Sequence, residues 1–171
     1  MPALEALLAD RTTELDGFLC PGHVSVIIGA DAYQPVPANY GKPCVIAGFE
    51  AGQMLRGVQH LVKQTLAGEA KVENVYGVAV TDAGNTVAWR FVEDVFEPAA
   101  TEWRAMGTIP LSGLALRPEY QRFDAVRELG LRVGEDYCPA GCRCGDVIQG
   151  KALPTDCRLF GKACTVAKPI G

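Results

Sequence analysis

A chain of 171 residues and 18.2 kDa with 49% apolar content is long enough for one cored domain, or one domain and an appendage, which excludes wholesale disorder. Lys and Arg number 16 against 20 Asp and Glu, a formal net charge of −4, and the basic residues are scattered rather than clustered, which argues against a nucleic-acid partner. Mean hydropathy is +0.10, no run approaches the roughly 18 apolar residues of a membrane span, and residues 1–13 lack the basic start and apolar stretch of a secretion signal, so the expectation is a cytoplasmic chain.

In chain order, Leu4, Leu7, Leu8 and Leu15 predict a helix from Pro2 to Asp16. Phe18–Cys20 reads as a buried strand, followed by the Pro21-Gly22 turn and a helix from His23 that stops near Gly29. A turn-rich stretch with Pro35, Pro37, Asn39 and Gly41 leads into Pro43–Ala47, a run suited to a parallel strand buried on both faces. From Gln53 to Leu66 the pattern is helical, with Met54, Leu55, Val58, Leu61, Val62 and Leu66 expected to face inward, Arg56, Gln59, Lys63 and Gln64 outward, and Gly68 as C-terminal cap. Residues 74–80 read as extended or irregular, and Thr86–Phe96 as a helix with Val87, Phe91, Val92 and Val95 inward. Alternating short strands and amphipathic helices predict an α/β layer with a mainly parallel sheet over residues 1–97. Residues 98–132 are expected to form an irregular packing lobe, and 133–171 a cysteine-rich segment without its own core, which needs a metal to fold.

The chemistry is concentrated in that last segment. Of 7 cysteines, five (Cys138, Cys142, Cys144, Cys157 and Cys164) lie there, and in a reducing compartment dense cysteines bind metal or do redox work rather than staple a fold. Thiolates select zinc or iron–sulfur clusters, and complete sites of either kind have four ligands. Zinc sites favour two close pairs, whereas six residues separate Cys157 from Cys164, so the spacing favours a cluster; zinc and unmetallated thiols remain as alternatives. Elsewhere, His23 follows Pro21-Gly22 at a strand-to-helix turn, and Glu50 follows Gly48 at the equivalent place after the next strand, where open α/β sheets bind ligands. Each has a plainer role as a cap of its own helix. Cys20 and Cys44 sit in apolar runs as small core residues, and Trp89 and Trp103 read as packing anchors. There is no phosphate-binding glycine loop, nucleophile elbow or zinc-protease motif.

Several of these words occur in one order. Asp16-Gly-Phe-Leu-Cys-Pro-Gly-His-Val-Ser25, Tyr40-Gly-Lys-Pro-Cys-Val-Ile-Ala-Gly-Phe-Glu50, Lys71-Val-Glu-Asn-Val-Tyr76, Glu102-Trp-Arg104, Tyr120-Gln-Arg-Phe-Asp-Ala125, Cys142-Arg-Cys-Gly145 and Cys157-Arg-Leu-Phe-Gly161 together resemble the C-terminal half of the HypD family of hydrogenase maturation proteins. The resemblance implies a scaffold on which the Fe(CN)2CO group of NiFe-hydrogenase is assembled, with a HypC-type small chaperone and a HypE-type cyanide donor as partners. It also implies a 4Fe-4S cluster held by Cys157, Cys164 and one of Cys142 or Cys144, the other being a redox thiol, with Cys144 a candidate for that role. His23 and Glu50 would be functional groups of a cleft bordered by Pro21, Gly22 and Gly48. Against the family pattern, the iron-binding cysteines of an N-terminal domain and a fourth cluster cysteine are not in this sequence, and Ala51-Gly52-Gln53 replaces the usual Pro-Leu-Asp, so the expectation is a fragment. The competing readings are a stand-alone module with structural zinc and a thiol–disulfide oxidoreductase working through Cys142 and Cys144, a pair with one intervening residue rather than the usual two.

Overall fold

The computed structural model describes residues 1–103, 105–132 and 139–170; Cys138, and Arg104 of the Glu102–Arg104 motif, lie outside the described residues. The helices are α1 (Pro2–Ala9), α2 (Gly22–Ile28), α3 (Pro35–Tyr40), α4 (Ala51–Ala67), α5 (Thr86–Val95), α6 (Ala125–Glu128) and α7 (Cys144–Ile148). The strands are β1 (Phe18–Pro21), β2 (Cys44–Ala47), β3 (Val72–Asn74), β4 (Phe96–Trp103) and β5 (Gly107–Leu116). Two compact units result, one of Leu15–Val95 with Ala3–Glu5, the other of Phe96–Gly171 with Ala6–Glu14.

In the first unit β1, β2 and β3 form a parallel sheet in that order, with Phe18 opposite Cys44, Cys20 opposite Ile46, and Cys44 opposite Val72. This is the α/β architecture that the alternating pattern predicts. The central strand is buried throughout, Cys44, Val45 and Ile46 completely, as a parallel strand covered on both faces must be. Paired residues of parallel strands share a face, so Cys20, Cys44 and Ile46 lie on one side and Leu19, Val45 and Ala47 on the other.

Helix α4 packs on the Leu19 side, but of the residues its periodicity suggests only Leu61 is turned that way. A side-chain carbon on Gly57 would lie 2.6 Å from Leu19 Cδ1 and 3.0 Å from Ala47 Cβ, so the bare glycine sets the close approach. Gln64, expected outside, is 3% exposed. Its Nε2 donates to Glu73 Oε2 (3.0 Å) and its Oε1 accepts from the Lys71 amide (2.9 Å), so burial leaves neither end unpaired. Leu55 and Leu66, expected inside, are 70% and 83% exposed, and Met54, Val58 and Val62 are exposed as well. Gly68, in the left-handed region at φ 66°, ends the helix as predicted. In α5, Val87 and Phe91 are likewise exposed and Trp89 is a surface residue, because that helix buries none of its side chains.

The turn-rich stretch after Gly29 is more ordered than its breakers suggest. It contains a 3-10 turn at Asp31–Tyr33 and helix α3, whose Pro35 lies in the first turn where no amide is needed, and which ends at left-handed Gly41. Gly29 (φ 81°) and Gly84 (φ 68°) meet backbone to backbone: a side chain on Gly29 would run into the Asp82 carbonyl, and one on Gly84 into the Ile27 carbonyl. Amides of Ala30, Asp31 and Asn85 close that crossing onto Thr81, Asp82 and Ile27 at 3.0–3.1 Å.

In the second unit, residues expected to be irregular form an antiparallel pair, β4 with β5, running from Phe96–Leu116 to Trp103–Gly107 with an irregularity at Ala99–Thr101. Trp103 Nε1 donates across the pair to Ser112 Oγ at 2.7 Å. The strand signal is faint because in β4 and β5 only Ile109 is buried, so neither face carries a clean apolar alternation. Helix α1 stops at Ala9, earlier than predicted, where Asp10 accepts from the amide and hydroxyl of Thr12 and from Lys151 Nζ at 3.0 Å; these bonds pull its carboxyl down to about 2.

Two outcomes follow. Gly57→Leu should lower stability by about 1–3 kcal/mol through overpacking, read as a lower urea midpoint at unchanged slope. At Glu73, burial alone would raise the carboxyl, but bonds from His60 Nδ1 (2.9 Å) and Gln64 outweigh it with help from Lys71 and hold it below its ordinary 4.5. Its stabilisation is complete above pH 4.5 and is lost as the pH falls through the lower folded value, so Glu73→Gln should flatten that part of the acid-unfolding curve.

Candidate functional site

Two groups of predicted site residues are brought together, one in each unit. In the first unit, β1 and β2 run parallel, so their C-terminal turns, Pro21-Gly22-His23 and Gly48-Phe49-Glu50, leave the same edge of the sheet. The His23 ring packs against Phe49, with centroids 5.0 Å apart and planes tilted by 47°. His23 and Glu50 are both exposed, and neither caps a helix: α2 has no side-chain cap, and Glu50 occupies the N-cap position of α4 with its side chain unused there. The first turn is fixed from beneath by buried Ser25, whose hydroxyl donates to the Pro21 carbonyl (2.8 Å) and lies 3.0 Å from the Tyr33 hydroxyl. Burial pushes the Tyr33 hydroxyl up, which keeps it neutral as a donor to Ser25.

Tyr76 completes this edge. Its ring lies so close to the turns that a side-chain carbon would fall 2.6 Å from it at Gly22 and 3.1 Å at Gly48. Gln53, which stands where the family pattern has a carboxylate, also occupies the space over Gly48. Asn74 holds Tyr76 in place by accepting from its amide (2.9 Å) while donating to the Val80 carbonyl (2.8 Å).

In the second unit, Cys142, Cys144, Cys157 and Cys164 line one cavity of about 240 Å³, together with Val147, Ile148, Pro154, Leu159 and Phe160. Two local folds bring the thiols together. Cys144 opens α7, whose first turn is braced by Arg143 Nε to Asp146 Oδ2 at 2.9 Å. Beyond Cys157 the chain reverses at Gly161 (φ 71°), and Cys164 pairs back onto Leu159 and Phe160 through its amide (2.9 Å) and a short bridge. Backbone amides of Leu159 and Arg143 point at the Cys157 sulfur and, with the Arg143 charge, lower its thiol. A hydrogen bond to Cys142 raises Cys144, as do burial and the neighbouring sulfurs of Cys142, Cys164 and Cys157. Among the described residues, no three His, Cys, Asp or Glu side chains are drawn in closely enough for a single metal ion. The donors are all sulfur and the remaining walls are aliphatic or aromatic, which suits a thiolate-bound group that occupies volume.

A family model described as HypD, hydrogenase formation hypA family, matches residues 1–171. The chain belongs to the HypD family. It is 43% identical over 172 residues to hydrogenase maturation factor HypD of Escherichia coli, covering 100% of this chain and 46% of that relative. It is similarly 42% identical to HypD of Cupriavidus necator over 161 residues (94% and 42% covered) and 41% identical to HypD of Azotobacter vinelandii over 175 residues (99% and 46%). The chain therefore spans about half the length of the curated relatives it matches.

Of the residues at the HypD sheet edge, the sequence marked Gln53 only as a departure from the family pattern and assigned no role to Tyr76, Ser25 or Tyr33. The available signal was a glycine in each turn, since two bare backbones at one sheet edge leave room for a ring between them. Cys20 and Cys44 are core residues as expected, 3% and 0% exposed, and their shared hydrogen bond and burial push the Cys20 thiol up.

In metal-free protein, the lowered Cys157 thiol should be alkylated by iodoacetamide near neutral pH faster than Cys144, while Cys20 and Cys44 stay unmodified until the chain unfolds. Mass spectrometry of peptides sampled over time reads that order; equal rates at Cys157 and Cys144 would contradict the assignment of the amides.

Proposed function

We propose that this chain is the cluster-bearing part of a HypD-type scaffold for hydrogenase maturation, working in the cytoplasm on the Fe(CN)2CO group with a HypC-type chaperone and a HypE-type cyanide donor. The observation that carries the reading is the convergence of four thiols on one apolar cavity in a chain matched to the family over its whole length. The relatives are named as hydrogenase maturation factors, which supports the process; the partners and the Fe(CN)2CO cargo rest on the family resemblance.

In this reading Cys157, Cys164 and one of Cys142 or Cys144 hold a 4Fe-4S cluster, which when bound supplies one-electron redox chemistry. The chain's own residues do the rest. Leu159, Phe160, Val147 and Ile148 give the cavity apolar walls beside the sulfurs, and the amides at Cys157 stabilise its thiolate for ligation. The thiol of the Cys142–Cys144 pair that is left over lines the same cavity and would serve as a redox partner. At the sheet edge, His23 and Glu50 present an exposed imidazole and carboxylate on turns fixed by Ser25 and Tyr76, a placement suited to hydrogen-bonding a bound cargo.

Anaerobic reconstitution with ferrous iron and sulfide tests the reading. The expected product has the broad visible absorbance of iron–sulfur charge transfer, lost in Cys157→Ser and in Cys164→Ser, and lost in only one of Cys142→Ser and Cys144→Ser. Stoichiometric zinc in protein purified without added metal, with no visible absorbance after reconstitution, would replace the cluster with a structural zinc. Turnover of a disulfide substrate by metal-free protein, abolished by Cys144→Ser, would make it a thiol–disulfide oxidoreductase instead.

A further inference from the structure

Helix α4 is 17 residues long and has two packing faces rather than one. The first, built on Gly57, His60, Leu61 and Gln64, seats it on its own sheet. The second consists of Met54, Leu55, Val58, Val62 and Leu66, which recur at spacings of three and four and so form one continuous stripe. All five are exposed, from 40% at Met54 to 83% at Leu66. Arg56, Gln59 and Lys63 form the polar remainder. A surface helix ordinarily turns its apolar stripe to the core. Here the fully buried contacts are a glycine and a hydrogen-bonded glutamine, and of the large aliphatic side chains only Leu61 is on the sheet side.

We infer that this stripe is the docking face for the other half of a HypD polypeptide. The inference rests on family membership and the exposure of α4, not on the cluster. The argument for that occupant is the length of chain outside the match: the relatives each carry more than half of their residues beyond the segment this chain covers. In each, a length of chain greater than this one is joined to it covalently. A covalently joined neighbour sits at an effective concentration in the millimolar range, so a modest apolar contact holds it. A second copy of this chain lacks that advantage. The stripe spans 12 helical steps, about 18 Å, and with a width of roughly 10 Å offers on the order of 200 Å². That is far below the ~800 Å² per partner of a free-standing dimer.

The test is a chimera in which this chain replaces the matching segment of Escherichia coli HypD, which keeps the covalent link. The backbone amides of α4 should exchange their hydrogens at least tenfold more slowly in the chimera than in this chain alone. Leu55→Glu combined with Leu66→Glu should remove that protection, whereas Lys63→Glu, on the polar face of the same helix, should leave it unchanged. Leu55 and Leu66 are already exposed, so the double variant should keep its far-UV circular dichroism, and that measurement separates lost docking from lost fold. Exchange as slow in the double variant as in the unsubstituted chimera, or no slower in the chimera than in this chain alone, would overturn the inference. So would self-association of the chain, seen by light scattering and removed by the same double variant, because the occupant would then be a second copy.

Discussion

The burial of β2 on both faces is the constraint from which the first unit follows. Four residues, Cys44–Ala47, with nearly no exposure require a strand on each side and a helical layer above and below. Parallel pairing then sends the turns after β1 and β2 out of the same edge, with the 75–80 turn after β3 beside them. Gly22, Gly48 and the Tyr76 ring meet there because the strands are in register and the two turns carry no side chain to keep the ring away. His23 and Glu50 are thus placed by the sheet, and the Ser25–Tyr33 bond beneath Pro21 holds one of the turns at its height.

Much of this was legible from the amino acids alone, where a feature had a local cause. Short apolar runs bounded by Pro21-Gly22 and by Gly48 could be read as buried strands, and the glycines at 29 and 68, both at positive φ, as helix ends. What escaped was decided by partners distant in sequence. The periodicity of α4 establishes that it is amphipathic, but not which of two faces meets the sheet. Gly57 faces the sheet because Leu19 and Ala47 leave no room for a side chain, and Gln64 because Glu73 and the Lys71 amide satisfy it. The β4–β5 pair was hidden for the opposite reason, since a pair with only Ile109 buried has almost no binary pattern to read. Among the cysteines, spacing nominated the thiols, but their convergence depends on the reversal at Gly161, a single dihedral angle that spacing does not encode.

The two units are held by different physics. The first has a conventional apolar core of Ile46, Val45, Val36 and Cys44. Among the described residues of the second, the buried hydrophobic side chains are only Leu7 and Ile109, and the cysteine segment is tied down by isolated polar links, Asp10 with Lys151 and the Glu14 amide to the Gln149 carbonyl. Exposed ion pairs of this sort contribute little stability, so the thiol cavity is the feature best able to organise its segment. Its electrostatics point the same way. Four sulfurs around one apolar space cannot all ionise without repelling each other, which is why neighbouring thiols raise Cys144 even as backbone amides lower Cys157. A cationic group entering the cavity would remove that repulsion, displace the thiol protons and cross-link two stretches of chain in one step. The free energy of ligation in such a segment is therefore inseparable from the free energy of folding it.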